Sequence, residues 1–198
     1  MTHVLFVRHG ETDGNARRQY IGRTDLPLNE KGVEQIQRLQ EKLSLELREV
    51  AQVFHSPLMR TTQTAALLLG NDLLAHADPR LAELDFGEWE AKSYNDLEAE
   101  YHDHLWRWYD DPWNVAPPNG ETLQDLDARL TAWHESIVRS IGTTLVVSHG
   151  GPIRLWYAKY VLQELTRFHS LHLPPGGFVH VRRTGDGWQL VQGEITAP

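Results

Sequence analysis

Residues 4–7, Val-Leu-Phe-Val, form an uninterrupted apolar run of β-branched and aromatic side chains, closed by Arg8, His9 and Gly10. So short and apolar a run, bounded by polar residues, reads as a strand buried on both faces, the kind found inside a parallel sheet. The rest of the chain supplies the helices such a sheet needs. Asn29 can cap a helix, and Val33, Ile36, Leu39, Leu43 and Leu47 recur at helical spacing, which predicts an amphipathic helix over 30–48. Ala51 to His55 is the next strand. Ser56-Pro57 predicts a helix with a serine cap and proline at its first position, running to about Leu69. Leu73 to His76 reads as a third short strand. Leu123, Leu126, Leu130, Trp133 and Ile137 mark a helix over about 121–140. Thr143 to Ser148 is a strand, and the helix after it opens at Pro152 and ends near Leu162. Phe178–Arg183 and Trp188–Val191 alternate about Thr184-Gly-Asp-Gly and read as a terminal hairpin. The expected fold class is α/β: a three-layer α/β/α sandwich around a mostly parallel central sheet.

A chain of 198 residues without an internal linker reads as a single domain over 1–198. Its 19 basic and 27 acidic side chains give a formal charge of −8, which argues against broad nucleic-acid binding. It contains no cysteine, which removes disulfides, thiolate metal sites and cysteine nucleophiles together. The apolar run at its start falls short of the roughly 7–15 residues of a secretory core. It falls further short of the about 20 needed to span a membrane. These features predict a soluble cytoplasmic protein with neither a nucleic acid nor a membrane as partner, and they leave monomer and homodimer open.

Residues 8–28 are polar and lack periodicity, and a loop of that length inside a compact domain tends to be functional. In α/β folds functional groups collect beyond the carboxyl ends of the strands. Two histidines lie there in matching contexts, in Arg8-His9-Gly10 and in Ser148-His149-Gly150-Gly151. The glycines allow close approach to the backbone, and the second motif precedes a helix N-terminus, where free amides favour an anion.

Four ordered blocks carry a resemblance. They are Leu5-Phe-Val-Arg-His-Gly-Glu-Thr with Asn15, Gly22, Asp25 and Pro27-Leu28; Ser56-Pro-Leu-Met-Arg-Thr-Thr-Gln-Thr-Ala65; Leu81-Ala-Glu-Leu-Asp-Phe-Gly-Glu-Trp-Glu90; and Val146-Val-Ser-His-Gly-Gly151. Together they resemble the histidine phosphatase superfamily, also called phosphoglycerate mutase-like. The resemblance implies that His9 is a nucleophile forming a phosphohistidine and that Glu83 is the general acid and base. It implies that Arg8, Arg60 and His149 surround the phosphate, while Asn15, Gly150 and the backbone of Ile21 and Gly22 complete the pocket. The chain departs from the pattern at Ile21, where the family often carries a polar side chain. The chemistry agrees with these assignments. Phosphoryl transfer depends on positioning and charge stabilisation, and arginine forks suit phosphate and stay charged. A nucleophilic histidine must be unprotonated at the attacking nitrogen, a state that neighbouring cations favour.

Within the superfamily the resemblance is to phosphatases. The segment Asp85-Phe-Gly-Glu-Trp-Glu90 is acidic where mutases are basic, which disfavours a second phosphate. The expected activity is therefore hydrolysis of a small-molecule phosphate monoester, broad in specificity or like an α-ribazole phosphatase. The alternatives are a phosphoglycerate mutase or, in another class, a non-catalytic phosphate-ligand sensor. Residues at about 89–118 read as a helical cap insertion carrying four of the seven tryptophans and three of the six tyrosines. Most of these rings should pack the insertion, with one or two lining the pocket. His102 and His104, and His169 and His172, are the remaining paired histidines. Neither pair sits in a metal-binding motif, and the expected chemistry needs neither metal nor other cofactor.

Overall fold

The computed structural model describes residues 2–70, 74–138 and 140–197. In chain order the elements are β1 (Thr2–Arg8), α1 (Asp13–Ala16), α2 (Glu30–Lys42), α3 (Ser44–Arg48), β2 (Val50–His55), α4 (Met59–Leu69) and β3 (Ala75–Ala77). They continue with α5 (Tyr94–Asp110), α6 (Leu123–Ile137), β4 (Gly142–Ser148), α7 (Gly150–Tyr160), β5 (Phe178–Thr184) and β6 (Gly187–Gly193). The strands form one sheet in the order β3-β2-β4-β1-β5-β6. β3, β2, β4 and β1 run parallel, and the terminal hairpin adds β5 and β6 antiparallel.

Alternation along the strands builds the three layers. Val4 and Phe6 point to one face of the sheet and pack with Val146, Trp133 of α6 and Trp156 of α7. Leu5 and Val7 point to the other and pack with Leu145, Val147, Ile36 of α2 and Leu68 of α4. All four β1 side chains are at most 2 % exposed. Each such side chain contributes about 1.5–3 kcal/mol relative to an exposed one. The expected α/β/α sandwich with a mostly parallel sheet is the architecture present.

Element boundaries differ where a side chain has other work. The helix expected over 30–48 breaks at Leu43, whose φ of −99° and ψ of 18° leave the helix while its side chain stays buried. The helix expected at Ser56-Pro57 begins instead at Met59, capped by Leu58 without a side-chain bond. The Ser56 hydroxyl accepts weakly from the Leu58 amide at 3.4 Å and from His149 at 2.8 Å, ahead of the first turn. α6 starts two residues later than expected, since Thr122 and Asp125 form a capping box there. α7 opens at Gly150, so Pro152 is its third residue. The third strand lies at Ala75–Ala77, and Leu73, expected within it, is outside the described residues. The long loop after β1 contains the single turn α1, held by the capping box of Thr12 and Asn15. No helix among the described residues is long and apolar enough to cross a membrane.

Candidate active site

β1 and β4 are parallel neighbours, with Arg8 opposite Ser148. Each strand therefore releases its next residue, His9 or His149, at the same edge of the sheet. The chain then diverges, toward α2 on one face and α7 on the other, which opens a crevice beyond the strand ends. The two imidazole centroids lie 5.1 Å apart.

His9 is 3 % exposed, and its Nδ1 lies 2.7 Å from the Gly10 carbonyl. A carbonyl only accepts, so Nδ1 carries the hydrogen and Nε2 presents a lone pair. Burial, reinforced by the charges of Arg8 and Arg60, holds its pKa well below that of an ordinary histidine. His149 is pinned at both nitrogens: Arg60 Nε donates to its Nδ1 at 3.3 Å, and its Nε2 donates to Ser56 Oγ at 2.8 Å. Burial, then Arg60, pushes its pKa well down too.

Arg8 donates through Nη1 to the Leu173 carbonyl, and burial lowers its pKa to about 10. Arg60, 1 % exposed, donates to the carbonyls of Thr24 and Gly22 at 2.9 and 2.7 Å. Glu83 reaches the start of α7, where Oε2 accepts from the Gly151 amide at 3.1 Å and Oε1 from Leu84 at 2.9 Å. A Cβ at residue 151 would collide with Oε1, so glycine there makes room for the carboxylate. Gly150 lies against the Arg8 guanidinium, where a Cβ would stand 3.3 Å from Cζ. The Asn15 side-chain oxygen accepts from Thr12, and the residue lines a cavity beside Arg8.

The Gly22 amide, expected beside the phosphate, donates to Glu90 at 3.0 Å. Glu90 also accepts from the amides of Arg23, Thr24 and Phe86 and from the Thr24 hydroxyl. Gly22 also serves close packing, since a Cβ there would strike the Leu84 carbonyl. Ile21 turns inward against Gly14 and makes no polar side-chain contact.

The cavity beside Glu83, about 270 Å³, is walled by Tyr20, Phe86, Trp108, Tyr109 and Phe168, with Glu83, Arg154 and His169 as its polar side chains. Of the tryptophans in 89–118, Trp89 is fully buried in the packing of the insertion, Trp108 faces this cavity and Trp106 is largely exposed. Trp113 lines an adjoining apolar cavity. Sequence reasoning missed Ser56 as the partner of His149, Glu90 as the clamp of the 22–24 loop, and Arg154. All three lie within or beside the motif blocks, but each also has a partner distant in sequence: His149 for Ser56, the 22–24 amides for Glu90 and the Leu171 carbonyl for Arg154. His102 pairs with Glu98 and His104 donates to the Ala116 carbonyl, while His169 lines the cavity and His172 bonds Thr196 through its backbone.

The family model described as "Histidine phosphatase superfamily (branch 1)" matches residues 4–196. The chain is 35 % identical to an adenosylcobalamin/alpha-ribazole phosphatase of Salmonella typhimurium, over 95 % of this chain and 89 % of that protein. It is 30 % identical to phosphoserine phosphatase 1 of Hydrogenobacter thermophilus, over 86 % and 81 %. The crystal structure of an alpha-ribazole phosphatase from Shigella flexneri superposes with a TM-score of 0.87 at 28 % identity, covering 95 % of this chain and 94 % of that one. With the family pattern matched over nearly its whole length, the chain belongs to the histidine phosphatase superfamily (branch 1) and is a phosphatase of that family.

Proposed function

We propose that the protein is a phosphomonoesterase that hydrolyses a small phosphorylated metabolite through a phosphohistidine at His9. The observation that carries this reading is the Nδ1 bond to the Gly10 carbonyl, which leaves the His9 Nε2 lone pair within reach of the charges of Arg8 and Arg60. In the first step Nε2 attacks phosphorus and the P–O bond to the leaving group breaks. Glu83, as the carboxylic acid, protonates the departing oxygen. In the second step a water attacks the phosphohistidine, Glu83 takes its proton, the P–N bond breaks and phosphate leaves. Arg8 and Arg60 balance the phosphoryl charge in a site largely closed to water, where electrostatic stabilisation is strongest. His149, held by Arg60 and Ser56, walls the other side of the nucleophile.

The insertion at 89–118 acts as a cap, and its rings receive an apolar or ring-containing leaving group. Similarity to alpha-ribazole and phosphoserine phosphatases supports a monoester as substrate, with broad or alpha-ribazole-like specificity. Hydrolysis of an aryl phosphate by the wild type, His9→Ala and Glu83→Gln tests the reading. Loss of turnover in His9→Ala, with Glu83→Gln hurting poor leaving groups most, is the expected result. Equal rates for wild type and His9→Ala would sink it.

A further inference from the structure

Arg60 at this site is buried and Arg8 and Arg154 are half-buried, and none of the three forms an ion pair with a carboxylate. Among the described residues the arginine ion pairs involve Arg17, Arg23, Arg38, Arg80 and Arg129, and none involves Arg8, Arg60 or Arg154. Glu83 acts on all three through its charge, and three cations largely drawn out of water favour an anion that arrives from outside. A phosphoryl dianion accounts for Arg8 and Arg60. It leaves Arg154 over.

Arg154 is held as a binding group would be. Its Nε donates to the Gly150 carbonyl at 3.0 Å and Nη1 to the Leu171 carbonyl at 3.3 Å. Its guanidinium stacks 4.7 Å from the Phe168 centroid. Nη2 has no partner among the described residues, and the side chain lines the apolar cavity that also contains Glu83. Glu83 acts on Arg154 through its charge without forming an ion pair, while burial lowers the arginine's pKa. Around it the cavity wall is made by Leu84, Phe86 and Trp108, with His169 also on the lining.

We propose that Arg154 is a specificity-determining residue whose free edge pairs with a carboxylate on the leaving group, so that phosphate esters of hydroxy acids are preferred over neutral monoesters. This rests on the phosphatase reading above and specifies its substrate class. The volume of about 270 Å³ admits a compact hydroxy acid or one substituted ring. Tyr20 and Tyr109, joined through their hydroxyls, close the cavity toward the opening that holds Arg8 and Asn15. A second phosphate in place of the carboxylate would bring more negative charge than one arginine can balance beside Glu83.

The test compares phenyl phosphate with 3-carboxyphenyl phosphate in the wild type, Arg154→Gln and Arg154→Lys. Charge-assisted hydrogen bonds of this kind predict about a tenfold higher kcat/KM for the carboxylated ester in the wild type. The ratio should collapse toward one in Arg154→Gln, chiefly through KM of the carboxylated ester, and recover in part in Arg154→Lys. A wild-type ratio near one, or a ratio retained in Arg154→Gln, overturns the proposal. Calorimetric binding of 3-hydroxybenzoate to the wild type and both variants judges it independently of turnover: weaker binding in Arg154→Gln than in wild type or Arg154→Lys supports it, and equal affinity in wild type and Arg154→Gln counts against it. If neither ester is hydrolysed faster than by His9→Ala, the phosphatase reading fails, and the binding result still decides the role of Arg154.

Discussion

At the scale of single residues, the site is defined by which nitrogen carries each proton. His9 has its tautomer set by a neighbouring carbonyl, and His149 by an arginine on one side and a serine on the other. Ser56→Ala would leave the His149 Nε2–H buried without an acceptor, at a cost of about 1–3 kcal/mol. We expect kcat/KM to fall about tenfold, with a Tm lowered by several degrees in a thermal melt. A different histidine governs stability far from the site. His134 stacks on Tyr160 at 4.0 Å with its Nδ1 buried and unpartnered, and burial lowers its pKa to about 4. Its unfolded value is near 6.5, so between pH 6.5 and 4 the unfolded chain binds the extra proton and stability falls as pH falls. His134→Phe keeps the stacking and removes the titration. Its Tm should therefore drop less than that of the wild type between pH 7 and pH 5, and an equal drop would show that His134 does not contribute. The sequence displayed these residues unequally. His9 and His149 could be read from their strand-end contexts, whereas Ser56 looked like a helix cap because its true partner lies 93 positions away.

At the scale of elements, Glu90 ties the loop after α1 to the cap. Its carboxylate accepts from four backbone amides and one hydroxyl, and the carbonyls of that loop hold Arg60. Glu90→Ala should cost about 3 kcal/mol of stability, the range for a broken buried network. It should also raise KM more than it lowers kcat, because Arg60 loses its anchors. Glu90→Gln, which retains one carbonyl oxygen, should recover part of both; unchanged KM in Glu90→Ala would remove the loop from substrate binding. The periodic signals of α2, α6 and the strands were legible because one face of each is buried, and that burial fixes the spacing. The ends were less legible: α4 starts at Met59, after the Ser56 oxygen has turned to Leu58 and His149, and α2 breaks at the buried Leu43. The bond from the Gly22 amide to Glu90 was not legible for the same reason, as its acceptor belongs to a segment 68 residues on.

At the scale of the whole molecule, a chain with net charge −8 builds a cationic site by gathering the buried Arg60 and the half-buried Arg8 and Arg154 where the sheet diverges. The acidic residues of 85–90 do not line that cavity: Asp85 and Glu90 bond backbone amides, and Glu88 bonds Tyr101 and Asn119. The fold could be read from alternating buried strands and amphipathic helices. The cation-rich interior could be read only in part, since Arg154 looked like any helical arginine until Phe168 and the Leu171 carbonyl fixed its place. The central claim is covalent transfer to His9 Nε2, and trapping that intermediate tests it most directly. Rapid quenching during hydrolysis of a radiolabelled aryl phosphate, followed by peptide mapping, should give an acid-labile, base-stable phosphoryl group on His9 that is absent from His9→Ala and persists longer in Glu83→Gln. Turnover that continues with no labelled protein, or with the label on another residue, would contradict the account.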